Sequence, residues 1–154
     1  MVNALVLQEN LLAALKKVKY TKRNLFPILD YVRIYSGDDG YIHLETCDLE
    51  TAKVAKVSAR IYDGKIDTCV PMRKVVKIDE PTCVDDYGQT HYRDITITCY
   101  PLLEWVNACD KNSVIGIEQT DNTLILTNGK SKAVFYCLSS GEFPPLTSMK
   151  ILES

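Results

Sequence analysis

The sequence predicts an α+β fold, with two short helices lying side by side on one face of an antiparallel sheet. Three observations lead there. Apolar residues recur at helical spacing in two short stretches, Leu11, Leu12, Leu15 and Val18, then Leu102, Leu103, Val106 and Cys109. Most of the remaining chain alternates apolar with polar residues, the period of a half-buried strand. The order strand, helix, strand, strand, strand occurs twice, and two such halves close most simply with both helices against one sheet.

In chain order, Met1 to Leu7 reads as a strand with Val2, Ala4 and Val6 on one face. A helix follows from about Glu9 to Lys19, then a polar, basic loop over residues 20–26. Pro27 to Tyr35 alternates as a strand. Ser36 to Gly40 is a turn, whose Asp39-Gly40 pair suits the positive φ angles of a type I′ hairpin. Tyr41 to Cys47 returns as a strand, Asp48-Leu49-Glu50 breaks it, and Thr51 to Tyr62 alternates again. The phase of that last run slips near Ala55-Lys56, which predicts a β-bulge. Asp63-Gly64 closes the first half.

In the second half, Asp94 to Tyr100 reads as a strand. Pro101 suits the first helical position, where its missing N–H costs nothing, and the helix runs on to about Asp110. Val114–Gln119, Thr123–Thr127 and Lys132–Leu138 are strands, joined by turns at Asp121-Asn122 and Asn128-Gly129. Residues 65–93 interrupt the symmetry as an inserted hairpin, with strand-like pieces over about Ile66–Ile78 and from Tyr92 onward. Val70 to Val76 reads equally as a helix start. Phe143-Pro144-Pro145-Leu146 has neither helical nor strand character. Residues 1–146 thus form one domain, and 147–154 a tail or the start of an interdomain linker.

Several function classes are excluded or disfavoured. No P-loop, G-x-G-x-x-G, G-x-S-x-G or H-E-x-x-H is present, so the chain reads as a non-enzyme without a cofactor. The six cysteines include no C-x-x-C, and the histidines are only His43 and His91, so no zinc cage is visible. Cys47, Cys69, Cys99 and Cys137 lie in or beside strands as small hydrophobes, free and reduced. His43 reads as a packed or surface strand residue, and the acid pairs Asp38-Asp39 and Asp85-Asp86 as turn chemistry rather than metal ligands. Trp105 falls off the apolar stripe of its helix and reads as partly buried. The amino terminus lacks the pattern of a signal peptide and no apolar run is long enough to span a bilayer, so the expected location is cytoplasmic.

The formal charge of the chain is -2, so any nucleic-acid contact must come from a local basic patch. The first helix offers one. Ala13, Lys16 and Lys17 fall opposite its apolar stripe, Lys19 flanks the stripe, and Lys22 and Arg23 carry the charge into the following loop. The pattern reads either as an ordinary solvated face or as a surface that tracks phosphates.

These residues resemble a known family, the bacterial sliding clamp, the beta subunit of DNA polymerase III. The family's L-x-x-E-x-L-L-x-x-L-x-x-V is similar to the run from Leu7 through Leu11, Leu12 and Leu15 to Val18, with Asn10 before the double leucine and an acid at Glu9. Its basic residue before L-P-I-L resembles Arg23 ahead of Phe26-Pro27-Ile28-Leu29. Its T-D-L-E turn resembles Cys47-Asp48-Leu49-Glu50, and its glycine, serine and E/D-F-P-x-L elements resemble Gly129, Ser131 and Glu142-Phe143-Pro144-Pro145-Leu146.

The resemblance implies a DNA-clamp fold on a curved sheet, the first of three domains in a family member, with both helices lining a central hole. It implies non-specific contact with the phosphates of duplex DNA, self-association or assembly with other clamp domains, and a DNA polymerase and a clamp loader as partners. Arg23 matches the family's basic loop residue, and the helical wheel adds Lys16, Lys17, Lys19 and Lys22. Three features depart from the family: the insertion at 65–93, a second helix carrying Glu104, Asn107 and Ala108 where basic residues are expected, and a chain one domain long. The insertion favours a natural or truncated single-domain protein over an excised first domain. They also admit a second reading, a clamp-fold interaction module that binds or regulates a full clamp or a loader without encircling DNA.

Overall fold

A computed structural model describes residues 2–20, 26–62 and 64–152. Its element order is β1 (Ala4–Leu7), α1 (Gln8–Val18), β2 (Tyr31–Ser36), β3 (Tyr41–Cys47), β4 (Thr51–Ile61), β5 (Asp67–Pro71), β6 (Lys74–Val84), β7 (Thr90–Cys99), α2 (Pro101–Ala108), β8 (Val114–Thr120), β9 (Thr123–Asn128), β10 (Ser131–Tyr136) and β11 (Lys150–Leu152). The main sheet runs β10-β9-β8-β1-β4-β3-β2-β5, with β11 added parallel to β4. Every other pairing in it is antiparallel. The sheet curls far enough for its ends to touch, because Cys69 in β5 and Leu138 just after β10 exchange two backbone hydrogen bonds of 3.0 Å.

Both helices fill the concave side. Leu11, Leu15 and Val18 of α1 and Leu102, Leu103 and Val106 of α2 join inward-facing residues of the sheet in one core, among them Val6, Val32, Ile42, Leu44, Ile115 and Leu126. The helices run antiparallel. At one end the buried Gln8 side chain donates to the Val106 carbonyl in the last turn of α2 at 2.9 Å. At the other, the Tyr100 hydroxyl donates to the Tyr20 carbonyl at 3.1 Å. Gln8 sits on the apolar stripe of α1, and its amide fastens the two helices together. Gln8→Met, close in shape but unable to donate, is expected to lower the unfolding free energy by about 1 kcal/mol in chemical denaturation.

The first half follows the expected strand, helix and three strands, with local differences. Pro27–Asp30 is a 3-10 turn, and β2 begins only at Tyr31. The Leu29 N–H closes the turn on the Phe26 carbonyl at 3.0 Å, and Leu29 is buried under the convex side of the sheet. In the β2–β3 turn only Gly40 takes a positive φ, so the turn is not type I′. Its fixing contact is the Asp39 carboxylate, which accepts from the Tyr41 N–H at 3.1 Å.

No bulge interrupts β4 against β3. Pairing is continuous from Tyr41 opposite Ser58 to Cys47 opposite Ala52. The slip in the pattern has another cause: the two ends of β4 are buried on opposite faces. Val57 belongs to the helix-side core, whereas Ala52 packs with Leu29, Cys47, Cys69 and Phe143 in a small cluster on the outer face. Phe143, between two short 3-10 turns, is therefore a buried anchor. The tail is also engaged, since Lys150–Leu152 pair with Thr51–Lys53.

The second half begins with a different strand from the one expected. β5, not Asp94–Tyr100, occupies the place that β1 holds in the first half. β1 lies between β4 and β8; β5 lies beside β2 and meets the chain after β10. Asp94–Cys99 instead belongs to β7, which pairs with β6 alone in a separate two-stranded arm. The hairpin expected over 65–93 is thus an arm of two strands, 74–84 and 90–99, and Val70 to Val76 is not helical.

Candidate nucleic-acid interface

The exposed surface of the helix layer is built mainly from α1. Asn10, Ala13, Lys16 and Lys17 are all exposed there, opposite the buried Leu11, Ala14, Leu15 and Val18. The two lysines sit in the last turn of α1, where cationic charge also favours the helix dipole. Alongside, α2 exposes Glu104, Asn107 and Ala108 and carries no basic residue in its last turn; Lys111 follows it, also exposed.

The structure brings together only part of the predicted basic set. Lys16 and Lys17 both reach solvent, and Lys17 lines a small groove with Ala55 to Ser58 of β4. Lys19 does not project freely, because its ammonium lies 4.1 Å from the centre of the Tyr100 ring, a cation–π contact. Lys22 and Arg23 lie outside the described residues.

What the residue pattern does not reveal is how the end of α1 is held. Three successive carbonyls leave the helix there, and a different side chain caps each one. Thr46 donates to Val18 at 2.6 Å, Lys53 to Lys19 at 2.9 Å, and Tyr100 to Tyr20 at 3.1 Å. Lys53 also lies 4.4 Å from the Tyr20 ring. The Tyr20 hydroxyl meets Thr51 at 3.0 Å, and burial pushes its pKa up. These residues hold the chain from Val18 to Tyr20 in place. Thr46 and Lys53 share the inward phase of β3 and β4, a signal that an inward lysine must meet a partner. Gln8 gave a similar signal as a polar residue on an apolar stripe.

The remaining candidates have structural partners. His43 stacks on Tyr35 with ring centres 4.9 Å apart and meets the Asp39 carboxylate at 3.0 Å. Burial raises the Cys47, Cys109 and Cys137 thiols and pushes Cys69 up to about 12, which disfavours the thiolate at each. Among the described residues no group of three or more His, Cys, Asp or Glu could hold a metal ion. Trp105 is half-buried and lines a pocket of about 460 Å³ at the end of α2. The polar groups Ser113 and Asn128 in that pocket are spent on one another, at 2.9 Å. No described helix is long and apolar enough to cross a membrane.

No protein-family model and no curated protein sequence matches the chain. Solved structures do match. The beta sliding clamp of C. crescentus superposes with a TM-score of 0.69 at 19% identity, over 96% of this chain and 33% of that one. The DNA polymerase III subunit beta sliding clamp of Bartonella birtlesii gives 0.68 at 18%, over 94% and 34%. The DNA polymerase III subunit beta of Pseudomonas aeruginosa gives 0.66 at 18%, over 92% and 31%. This is the fold of a sliding-clamp domain. The chain spans about a third of the length of the clamps it resembles. In the clamp fold, α1 and α2 form one layer and the curved sheet the other, and the exposed lysines of α1 belong to the helix layer.

Proposed function

We propose that this chain is a non-catalytic domain of a DNA processivity clamp. Its helix layer faces duplex DNA, with Lys16 and Lys17 touching phosphates and Lys22 and Arg23, next in the sequence, adding charge. Lys19 contributes at closer range, from its seat on Tyr100. The observation that supports this most is the pair of exposed lysines on the helix layer of a clamp fold. Glu9 and Glu104 are exposed on the same layer and offset that charge. Binding is therefore weak, non-specific and salt-sensitive, as sliding requires. Retention on DNA must come from encirclement, so the domain works with further copies or other clamp domains, in the company of a polymerase and a clamp loader.

The test is retention on a nicked circular duplex, before and after linearisation. The proposal expects the chain, with a clamp loader present, to stay on the circle and to run off when it is cut. Equal loss from both templates would remove the topological role.

One observation favours a second reading. The exposed face of α2 offers Glu104, Asn107 and Ala108 and no cation. A module that binds a full clamp or a loader without encircling DNA needs no basic second helix. It predicts partner binding that survives loss of Lys16 and Lys17.

A further inference from the structure

The arm formed by β6 and β7 plays no part in the helix layer. Among the described elements, each of its strands packs extensively only on the other. A two-stranded ribbon is marginal in water unless another layer or strand supports it. The two faces of this one differ sharply. One face places Asp79 directly opposite Asp94, a like-charge pair that belongs in solvent. The other carries Val76 opposite Ile97 and Ile78 opposite Ile95, four branched aliphatics in two adjacent rows. Ile78 and Ile97 remain 40% exposed there.

That apolar face has a pattern complementary to itself. Along β6 its residues read Lys74, Val76, Ile78, Glu80: positive, apolar, apolar, negative. A second ribbon laid across it in the opposite direction sets Val76 against Ile78, Ile78 against Val76, and Lys74 against Glu80 at both ends. On β7 the same operation sets Ile95 against Ile97. Glu80 already pairs with Arg93 at 2.7 Å, so the added lysine joins an existing ion pair.

We infer that the arm is a self-association surface: the face carrying Lys74, Val76, Ile78, Glu80, Ile95 and Ile97 packs two-fold on the same face of a second copy of this chain. Sheets packed face to face lie about 10 Å apart, close enough to cover the aliphatic rows. The face covers only about 300 Å² by strand spacing and rise, below the roughly 800 Å² per partner of a stable interface. The pairing is therefore weak and concentration-dependent. It differs from any contact through the main sheet and does not depend on DNA binding.

Sedimentation velocity of the full chain over a concentration series tests it, with Lys74→Glu and Glu80→Lys chains studied alone and mixed. The average mass of the natural chain is expected to rise with concentration. Each charge variant alone opposes like charges at both ends of the contact and should associate about tenfold more weakly. Mixed in equal amounts, the two variants restore both ion pairs and should recover the natural association. Ile78→Lys combined with Ile97→Lys should abolish the rise of average mass with concentration, with the circular dichroism melt of the main sheet unchanged. A natural chain whose mass stays constant, a mixture no stronger than its components, or an Ile78→Lys/Ile97→Lys chain that associates normally would each overturn the inference.

Discussion

Leu15→Ala is expected to lower the unfolding free energy by about 3 kcal/mol. Leu15 is fully buried in the core that joins both helices to the concave side of the sheet. Removing most of its side chain forfeits its transfer energy and leaves a void that the sheet, closed on itself by the bridge from β5 to Leu138, collapses into only partially. At about 2–4 °C per kcal/mol for a chain of this size, the midpoint falls by roughly 6–12 °C. Leu12, one residue off the buried stripe and only partly covered, provides the comparison: its alanine variant should cost distinctly less. Differential scanning calorimetry of both variants checks the ranking, and equal losses would show that the helix layer is not packed as described.

The second large effect concerns DNA. Lys16→Ala with Lys17→Ala is expected to weaken duplex binding about tenfold near physiological salt and to lower the slope of log K against log salt by about 2, one unit per phosphate contact. Stability should stay within about 0.5 kcal/mol, since both side chains are exposed. A fluorescence-anisotropy titration at several salt concentrations measures the slope directly. An unchanged slope would take the phosphates away from α1. If a clamp or loader still binds the double variant while duplex binding is lost, DNA contact and partner contact use different surfaces. If duplex binding never mattered and partner binding persists, the interaction-module reading gains.

The helices and most strands were legible because each owes its character to a local period. The stripe of Leu11, Leu15 and Val18 and the alternation of Tyr41 to Cys47 need no knowledge of what they touch. Errors arose where a distant contact sets the boundary. The break between β5 and β6 at Met72-Arg73 has no glycine or turn pair to announce it. It is made by two N–H groups that both donate to the Asp30 carbonyl at 2.9 Å, far away in sequence. Asp94–Cys99 alternates as well as any strand here, but alternation identifies a strand without naming its sheet. The phase slip in β4 was real and its cause was mistaken, because one residue pattern serves two cores on opposite faces. In the candidate interface, exposure of Lys16 and Lys17 followed from the helical wheel. The capture of Lys19 by Tyr100 joins residues 81 positions apart in the chain and has no local signature.

The place of β1 has a consequence for how the molecule is made. Its four residues precede every other described element in the chain, yet they lie between β4 and β8. Ala4 faces Ile61 on one side and Ile117 on the other. A nascent chain on the ribosome can complete the first of these pairings once β4 has been made, but the second waits until β8 has been translated. Until then β1 has one edge without its partner, and the long sequence separation of that pairing is of the kind that slows folding.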